Sequence, residues 1–414
     1  MSTQIDDVAV LDEPGKVGLS AERLARITPF FEERYVAPGK LAGVLTLVAR
    51  QGRVAHLGCS GLRNVATGEA MTPDTIFRMY SMTKPIVSVA LMTLYEEGCF
   101  QLDDPVSRFI PSWADLRVWS DGTADSYSTT FPEREMQVRD LLTHTSGLTY
   151  GFMARHPVDS LYRRRGVDAD GSATLGEMVD KLAELPLLFS PGTRWSYSVA
   201  TDVCGYLCEV LSGRSLDDLL RERIFEPLGM AHTGFSVPET DAHRLAATYA
   251  WTPKDPLLLF DDPATSTYRT PPTFLSGGGG IVSTAADYLR FATMLANRGE
   301  LDGHRVLGRK TVEHMTLNHL PGGVDLAAMG QKVFSEISYD GIGFGLGFSV
   351  MLDPARAGVI GSIGEHGWGG AASTMFWVDR SEELVGMILA QLMPSSTYPI
   401  RRELKSLVYQ ALVD

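Results

Sequence analysis

Ser81-Met82-Thr83-Lys84 places a hydroxyl and an amine three residues apart, a spacing that on a helix brings both side chains to one face, within reach of each other. A serine hydroxyl becomes a nucleophile when a nearby base takes its proton, and an unprotonated lysine can be that base. Of the eight lysines in the chain, Lys84 alone has a serine three residues before it. A serine N-cap beside a solvated lysine would give the same four letters, so the setting decides. Residues 71–80 read as an irregular approach, and Pro85–Glu97 as an apolar helix ended by Gly98. Proline is tolerated only in a helix's first turn. Ser81 is therefore expected at the helix start, where the partial positive charge of the terminus favours developing negative charge.

Two further segments could complete a site. In Pro191-Gly192-Thr193-Arg194-Trp195-Ser196-Tyr197-Ser198-Val199, a turn and an aromatic-rich stretch precede a helix starting near Thr201. A tyrosine at such a junction can point into a cleft, where nearby positive charge favours a phenolate; it can equally be a core residue with one satisfied hydroxyl. Glu365-His366-Gly367-Trp368-Gly369-Gly370-Ala371-Ala372-Ser373 reads as a glycine-rich entrance to a strand. Glycines there let a substrate lie against the backbone, and an N–H can face an oxyanion; the plainer alternative is a packed Trp368.

The elements that must position these residues follow from periodicity. Residues 19–35 are expected to be helical, with Leu24, Ile27 and Phe31 on one face and Pro29 bending or shifting the helix. Residues 44–50 and 53–58, joined by Gln51-Gly52, read as a hairpin. Helices are expected near 174–185 and 200–212, and residues 251–272, rich in Pro, Asp and Thr, read as loop. Ser283-Thr284 should cap a helix bearing Tyr288, Phe291, Ala292 and Leu295 on one face. Strands at 345–352, 372–378 and 384–392 precede a last helix with Ile400, Leu404, Leu407, Val408 and Ala411 at helical spacing. The expected fold class is α+β, an antiparallel sheet assembled from both termini and flanked by helices. Residues 1–98 and 275–414 would form the sheet domain, and residues 99–274 a mostly helical inserted domain.

Bulk properties exclude several classes. At 414 residues the chain can bury a large core. A net charge of −13, with no basic cluster beyond Arg163-Arg164-Arg165, makes nucleic acid and anionic membrane poor partners. No run of about 18 apolar residues is present to span a membrane, and residues 1–7 have neither the basic start nor the apolar run of a secretory signal. Cys204 and Cys208, four apart in an apolar helix, read as buried thiols, which fits a reducing cytoplasm. No metal or cofactor is expected: His314 and His319 lack the His-Glu-x-x-His spacing, and the glycine run 277–280 does not follow the dinucleotide pattern. The Gly-x-Ser-x-Gly elbow of an α/β-hydrolase is missing too.

In combination, the motifs resemble those of the serine hydrolases of the class C β-lactamase and penicillin-binding-protein fold, and within it most resemble the carboxylesterases grouped as family VIII. The resemblance covers roughly residues 20–410. It rests on Ser81-Met82-Thr83-Lys84, on residues 141–148 (Leu-Leu-Thr-His-Thr-Ser-Gly-Leu), and on Pro191-Gly192-Thr193 with Tyr197-Ser198. Residues 224–230, Gly277–Ala285 and Trp368-Gly369-Gly370 match as well. Several such matches in order are far more specific than any one. The resemblance implies a β-lactamase/transpeptidase-like fold, Ser81 as nucleophile, and Lys84 and Tyr197 sharing base and acid work. The backbone N–H groups of Ser81 and Ala371 would form the oxyanion hole, with Trp368, Gly369, Gly370 and Val199 against the substrate.

Two departures from the β-lactamase pattern bear on the substrate. Their second motif, Tyr-x-Asn, has Val199 in the place of the Asn, which donates nothing. Their third motif opens with Lys, where Trp368 stands if Gly370 aligns with the last glycine; in the other register His366 would restore a possible cation. A lost charged hydrogen bond costs about 1.5–3 kcal/mol, so both changes favour neutral, modestly apolar esters over anionic antibiotics. The expected function is hydrolysis of short- to medium-chain carboxylic esters through a Ser81 acyl-enzyme. Acyl transfer, weak β-lactamase or D-aminopeptidase-type activity on the same fold are the alternatives, and a non-catalytic binding module is the different-class rival. The expected partner is a small-molecule ester; oligomeric state has no sequence signal.

Overall fold

The structure, a computed structural model, describes residues 13–167, 173–329 and 339–414. The expectation drawn from residues 1–7 lies outside the described residues. The main sheet contains β1 (Gly43–Arg50), β2 (Arg53–Asn64), β3 (Glu69–Ala70), β4 (Ile342–Phe344), β5 (Ser349–Met351), β6 (His366–Gly370), β7 (Thr374–Asp379) and β8 (Leu384–Leu389). Their order is β4-β5-β6-β7-β8-β1-β2-β3, and every pairing is antiparallel. The β8–β1 pairing joins the carboxyl-terminal strands to the amino-terminal hairpin, as the sequence pattern requires. That hairpin turns on Gln51 and Gly52, both at positive φ (54° and 71°), the geometry whose twist matches the flanking strands.

Four helices bracket the sheet: α1 (Thr83–Glu96), α2 (Ala200–Ser212), α3 (Ala285–Ala296) and α4 (Ile400–Tyr409). Side chains alternate across β1: Leu45, Leu47 and Ala49 enter the core shared with α1, α2 and α3. Val44 and Val48 enter a second core with Leu24, Ile27, Phe31, Leu404 and Val408. A strand buried on both faces reads as a nearly continuous apolar run. On the first face Tyr288 and Phe291 of α3 meet Phe376 edge-on, at 5.0 and 6.4 Å between ring centroids. On the second, Trp377 covers Gly386 so closely that a Cβ there would come within 2.1 Å of the indole. Residues 83–94 of α1 are all buried, as expected of a helix that is apolar all round.

Several expected boundaries move. Residues 19–35 split into Ala21–Leu24, Ile27–Phe31 and a wider turn Glu32–Val36; the break falls where Pro29 removes the N–H that would bond Ala25. The mostly helical 99–274 segment also contains strands. It carries a hairpin, Val118–Thr123 with Ser126–Thr130, and a small sheet in which Thr248–Ala250 pairs with Leu258–Asp261 and with Leu392–Met393. Residues 251–272 are therefore not wholly loop. Residues 345–352 do not form one strand, because the chain reverses between Phe344 and Ser349, which pair with each other. Residues 366–370 form a strand in their own right, and the next begins at Thr374 because Ser373 turns the chain at φ 64°.

Candidate active site

The segment before α1 does not run straight into the helix. Tyr80, at φ 45°, opens a tight turn, Tyr80–Met82, in a conformation that costs a bulky residue about 1–3 kcal/mol. The turn sets Ser81 two residues before α1 and Lys84 in its first turn, so the two side chains converge: Lys84 Nζ lies 3.3 Å from Ser81 Oγ. Pro85 follows at the third helical position, where no backbone donor is needed. The Tyr197 hydroxyl reaches the same Oγ at 2.6 Å. The structure thus brings Ser81, Lys84 and Tyr197 together although Tyr197 is distant in sequence.

Lys84 is 2 % exposed, and its Nζ is held from several sides. It donates to the Gly278 carbonyl at 2.6 Å, and lies 4.5 Å from the Tyr197 ring centroid and 5.4 Å from that of Tyr150. Gly278 is held in turn by Asp202 of α2, whose Oδ1 accepts from the Gly278 N–H at 2.9 Å and from Ser276 Oγ at 2.7 Å. Burial pushes the Asp202 carboxyl upward, opposed by the charge of Lys84 and by these donors. His144 packs 5.0 Å from the Tyr197 ring and is kept well below the usual imidazole range, first by burial and then by Lys84. It is a neutral wall behind the phenol. Asp202, Tyr150 and Gly278 carried no local sequence signal of this role; an acid in the first turn of α2 reads as ordinary N-terminal charge.

Strand β6 lies along the Ser81 turn. A Cβ at Gly370 would sit 2.3 Å from the Met79 carbonyl oxygen and 2.3 Å from Thr374 Oγ1, so only glycine lets this strand approach so closely. Ala371 follows and lines the cavity with Ser81, Tyr197, Trp368, Gly369 and Gly370. Among the described residues no hydrogen-bond partner is found for the N–H of Ser81 or of Ala371. Phe152, Ile342, Met351 and Val359 extend the apolar wall.

Trp368, not His366, faces this cavity. The Trp368 indole stands 5.7 Å from the Tyr197 ring and edge-on to Phe344 at 5.3 Å. His366 is 1 % exposed, packs edge-on against Phe348, and is driven by burial to a pKa of about 3. It offers no cation to a ligand. Val199 requires a correction: its side chain is buried in the core and does not line the cavity, because α2 begins there and turns it inward.

A family model described as Beta-lactamase matches residues 31–410. The chain belongs to the β-lactamase family. It is 31 % identical over 397 residues to Esterase EstB of Burkholderia gladioli, covering 91 % of this chain and 93 % of that protein. It is also 37 % identical over 363 residues to an uncharacterized protein of Mycobacterium tuberculosis, covering 86 % of this chain and 87 % of the relative. Among solved structures it is similar to EstCE1, described as a hydrolase with promiscuous acyltransferase activity. The TM-score is 0.76 at 27 % identity, covering 94 % of this chain and 99 % of that one. The antiparallel sheet flanked by helices is thus that of the β-lactamase fold, and the chain is a β-lactamase-family hydrolase. Among the described residues no helix is long and apolar enough to cross a membrane.

Proposed function

We propose that the chain is a serine carboxylesterase acting on short- to medium-chain carboxylic esters. The observation that carries this reading is Ser81 Oγ held 2.6 Å from the Tyr197 hydroxyl and 3.3 Å from Lys84 Nζ at the floor of an apolar-walled cavity. Ser81 Oγ attacks the ester carbonyl carbon while its proton passes to the Lys84–Tyr197 pair. The carbonyl oxygen becomes an oxyanion facing the N–H groups of Ser81 and Ala371, worth about 3–4 kcal/mol per donor. Collapse breaks the bond to the leaving alkoxide, which takes the proton back and departs as alcohol. Water then attacks the acyl-Ser81 ester by the same proton route, releasing the acid and restoring Ser81.

The substrate class follows from the wall. Trp368 presents an apolar wall where a cation would meet a β-lactam carboxylate, so a neutral ester is the better fit. Acyl transfer is a second outcome of the same acyl-enzyme: an alcohol in place of water would return an ester, a reading supported by the similarity to EstCE1, a hydrolase with promiscuous acyltransferase activity. The four cysteines are unpaired, which supports a reducing, cytoplasmic compartment. The sheet built from residues 43–70 and 342–389 supports the division into 1–98 with 275–414 and an inserted 99–274.

The test is turnover of p-nitrophenyl butyrate beside nitrocefin by wild type and Ser81→Ala. Ester turnover lost in the variant, with slower cephalosporin turnover throughout, is expected. A cephalosporin rate equal to the ester rate would overturn the substrate class, and ester turnover retained in Ser81→Ala would overturn the mechanism.

A further inference from the structure

We propose that Arg401 is the positioning residue of the oxyanion hole, clamping the Gly370 carbonyl so that the Ala371 N–H of the same peptide unit points into the cavity. The inference rests on the esterase reading, in which the Ala371 N–H receives the oxyanion. Arg401 lies in the first turn of α4, on the carboxyl-terminal helix. One of its guanidinium nitrogens donates to Gly370 O at 2.7 Å and to Thr374 O at 2.9 Å. These two residues face each other across the β6–β7 hairpin, so the cation ties both ends of the turn that carries Ala371.

Peptide geometry turns this contact into a catalytic consequence. The unit linking Gly370 to Ala371 is planar and trans, so its C=O and N–H point in opposite directions. Fixing the carbonyl towards Arg401 fixes the N–H away from it. The same contact polarises the peptide, because hydrogen bonds in series strengthen one another, which makes the N–H a better donor to a developing anion. The guanidinium reaches the turn because Gly369 has no side chain: a Cβ there would lie 2.9 Å from Arg401 Cζ. The paired glycines of Trp368-Gly369-Gly370 therefore have separate tasks, Gly370 admitting the Met79 backbone and Gly369 admitting the guanidinium. Helix stability gives no reason for a cation here, since the amino-terminal end of a helix carries partial positive charge.

Arg401→Met removes the donors and keeps much of the aliphatic stem; Arg401→Lys keeps a charge that can meet only part of the turn. Loss of one oxyanion donor costs about 10²–10³ in kcat, and the β6–β7 ladder still guides the peptide. The expected result for Arg401→Met is therefore a kcat about 10–100-fold lower on p-nitrophenyl butyrate, with KM within about threefold of wild type. Affinity for a trifluoromethyl ketone, which adds Ser81 Oγ to form a hemiketal oxyanion, should fall in the same proportion. Arg401→Lys should lie between, and it carries the test if the methionine variant does not fold. Titration of active sites with a p-nitrophenyl phosphonate sets the concentration used for kcat. A folded variant whose kcat per active site and ketone affinity both stay within about twofold of wild type would overturn the proposal. So would a loss confined to KM. Failure of the wild type itself to turn over the ester would instead bring down the esterase reading, an outcome separable from an unchanged Arg401 variant.

Discussion

Gly370→Ala tests whether the contact between β6 and the Ser81 turn sets the geometry of catalysis. The added Cβ would lie 2.3 Å from the Met79 carbonyl oxygen and from Thr374 Oγ1, whereas a carbon–oxygen contact relaxes near about 3.3 Å. The threonine hydroxyl can rotate aside. The Met79 carbonyl cannot, because Met79 is buried and its N–H is bonded to Ile281 O at 3.0 Å. The strand and the turn must therefore part by about 1 Å, a misplacement that costs about 10²-fold when it separates groups acting on one reacting atom. Crowding of this kind destabilises the fold by about 1–3 kcal/mol. The expected outcome is a folded protein with a modestly lower melting temperature and a kcat on p-nitrophenyl butyrate reduced about 100-fold per phosphonate-titrated site. A folded variant with kcat within about fivefold of wild type would refute the idea that this backbone contact holds the two N–H donors in place.

Other outcomes follow from the same geometry. Lys84→Ala and Tyr197→Phe each remove a group within 3.3 Å of Ser81 Oγ and should lower kcat at least about 10²-fold while leaving the circular dichroism spectrum unchanged. Activity above a few per cent in either would count against a shared proton route. Asp202→Ala leaves the Gly278 N–H and Ser276 hydroxyl without their acceptor. Chemical denaturation should show a loss of about 1–3 kcal/mol, accompanied by lower kcat as the loop holding Lys84 relaxes; unchanged values of both would show that the loop holds itself. One part of the acid sensitivity should come from His366, buried and shifted down to about 3 from 6.5, beside His56 and His144, which burial also lowers. Below pH 6.5 the unfolded chain takes up a proton that the folded form refuses, so stability is full above that value and falls as pH drops. By pH 4.5 the loss amounts to about 2–3 kcal/mol. Thermal melts of His366→Leu should lack that part of the slope, and an identical pH profile would contradict it.

What the sequence disclosed is what local geometry decides. Ser81 and Lys84 meet within one turn, the Gln51-Gly52 hairpin needs only its own residues, and β1 carries a nearly continuous apolar run broken only by Thr46 before Arg50. Trp368 was legible as a candidate, but the choice between it and His366 needed the tertiary packing: two apart on one strand they share a face, and only the neighbours differ, Tyr197 and Phe344 beside Trp368 and Phe348 over the buried His366. The Val118–Thr123 hairpin was hidden because it is largely exposed and so lacks apolar alternation. Leu258–Asp261 was masked by flanking Pro and Asp, although Leu257-Leu258-Leu259-Phe260 was the available signal. Asp202, Tyr150 and Arg401 come to the site through topology alone, from α2, from the loop after residues 141–148 and from α4. Val199 failed as a substrate contact because a motif position fixes a residue's place in the chain but not the direction of its side chain.

One oxygen atom, Ser81 Oγ, carries the proposed chemistry, and it can be labelled. Wild-type protein treated with a p-nitrophenyl alkylphosphonate should gain one phosphonyl group per chain, mapped by mass spectrometry to Ser81, with one p-nitrophenolate released and ester turnover abolished in proportion. Ser81→Ala should gain none. Label on any other residue, or label on Ser81 that leaves ester hydrolysis intact, would contradict it.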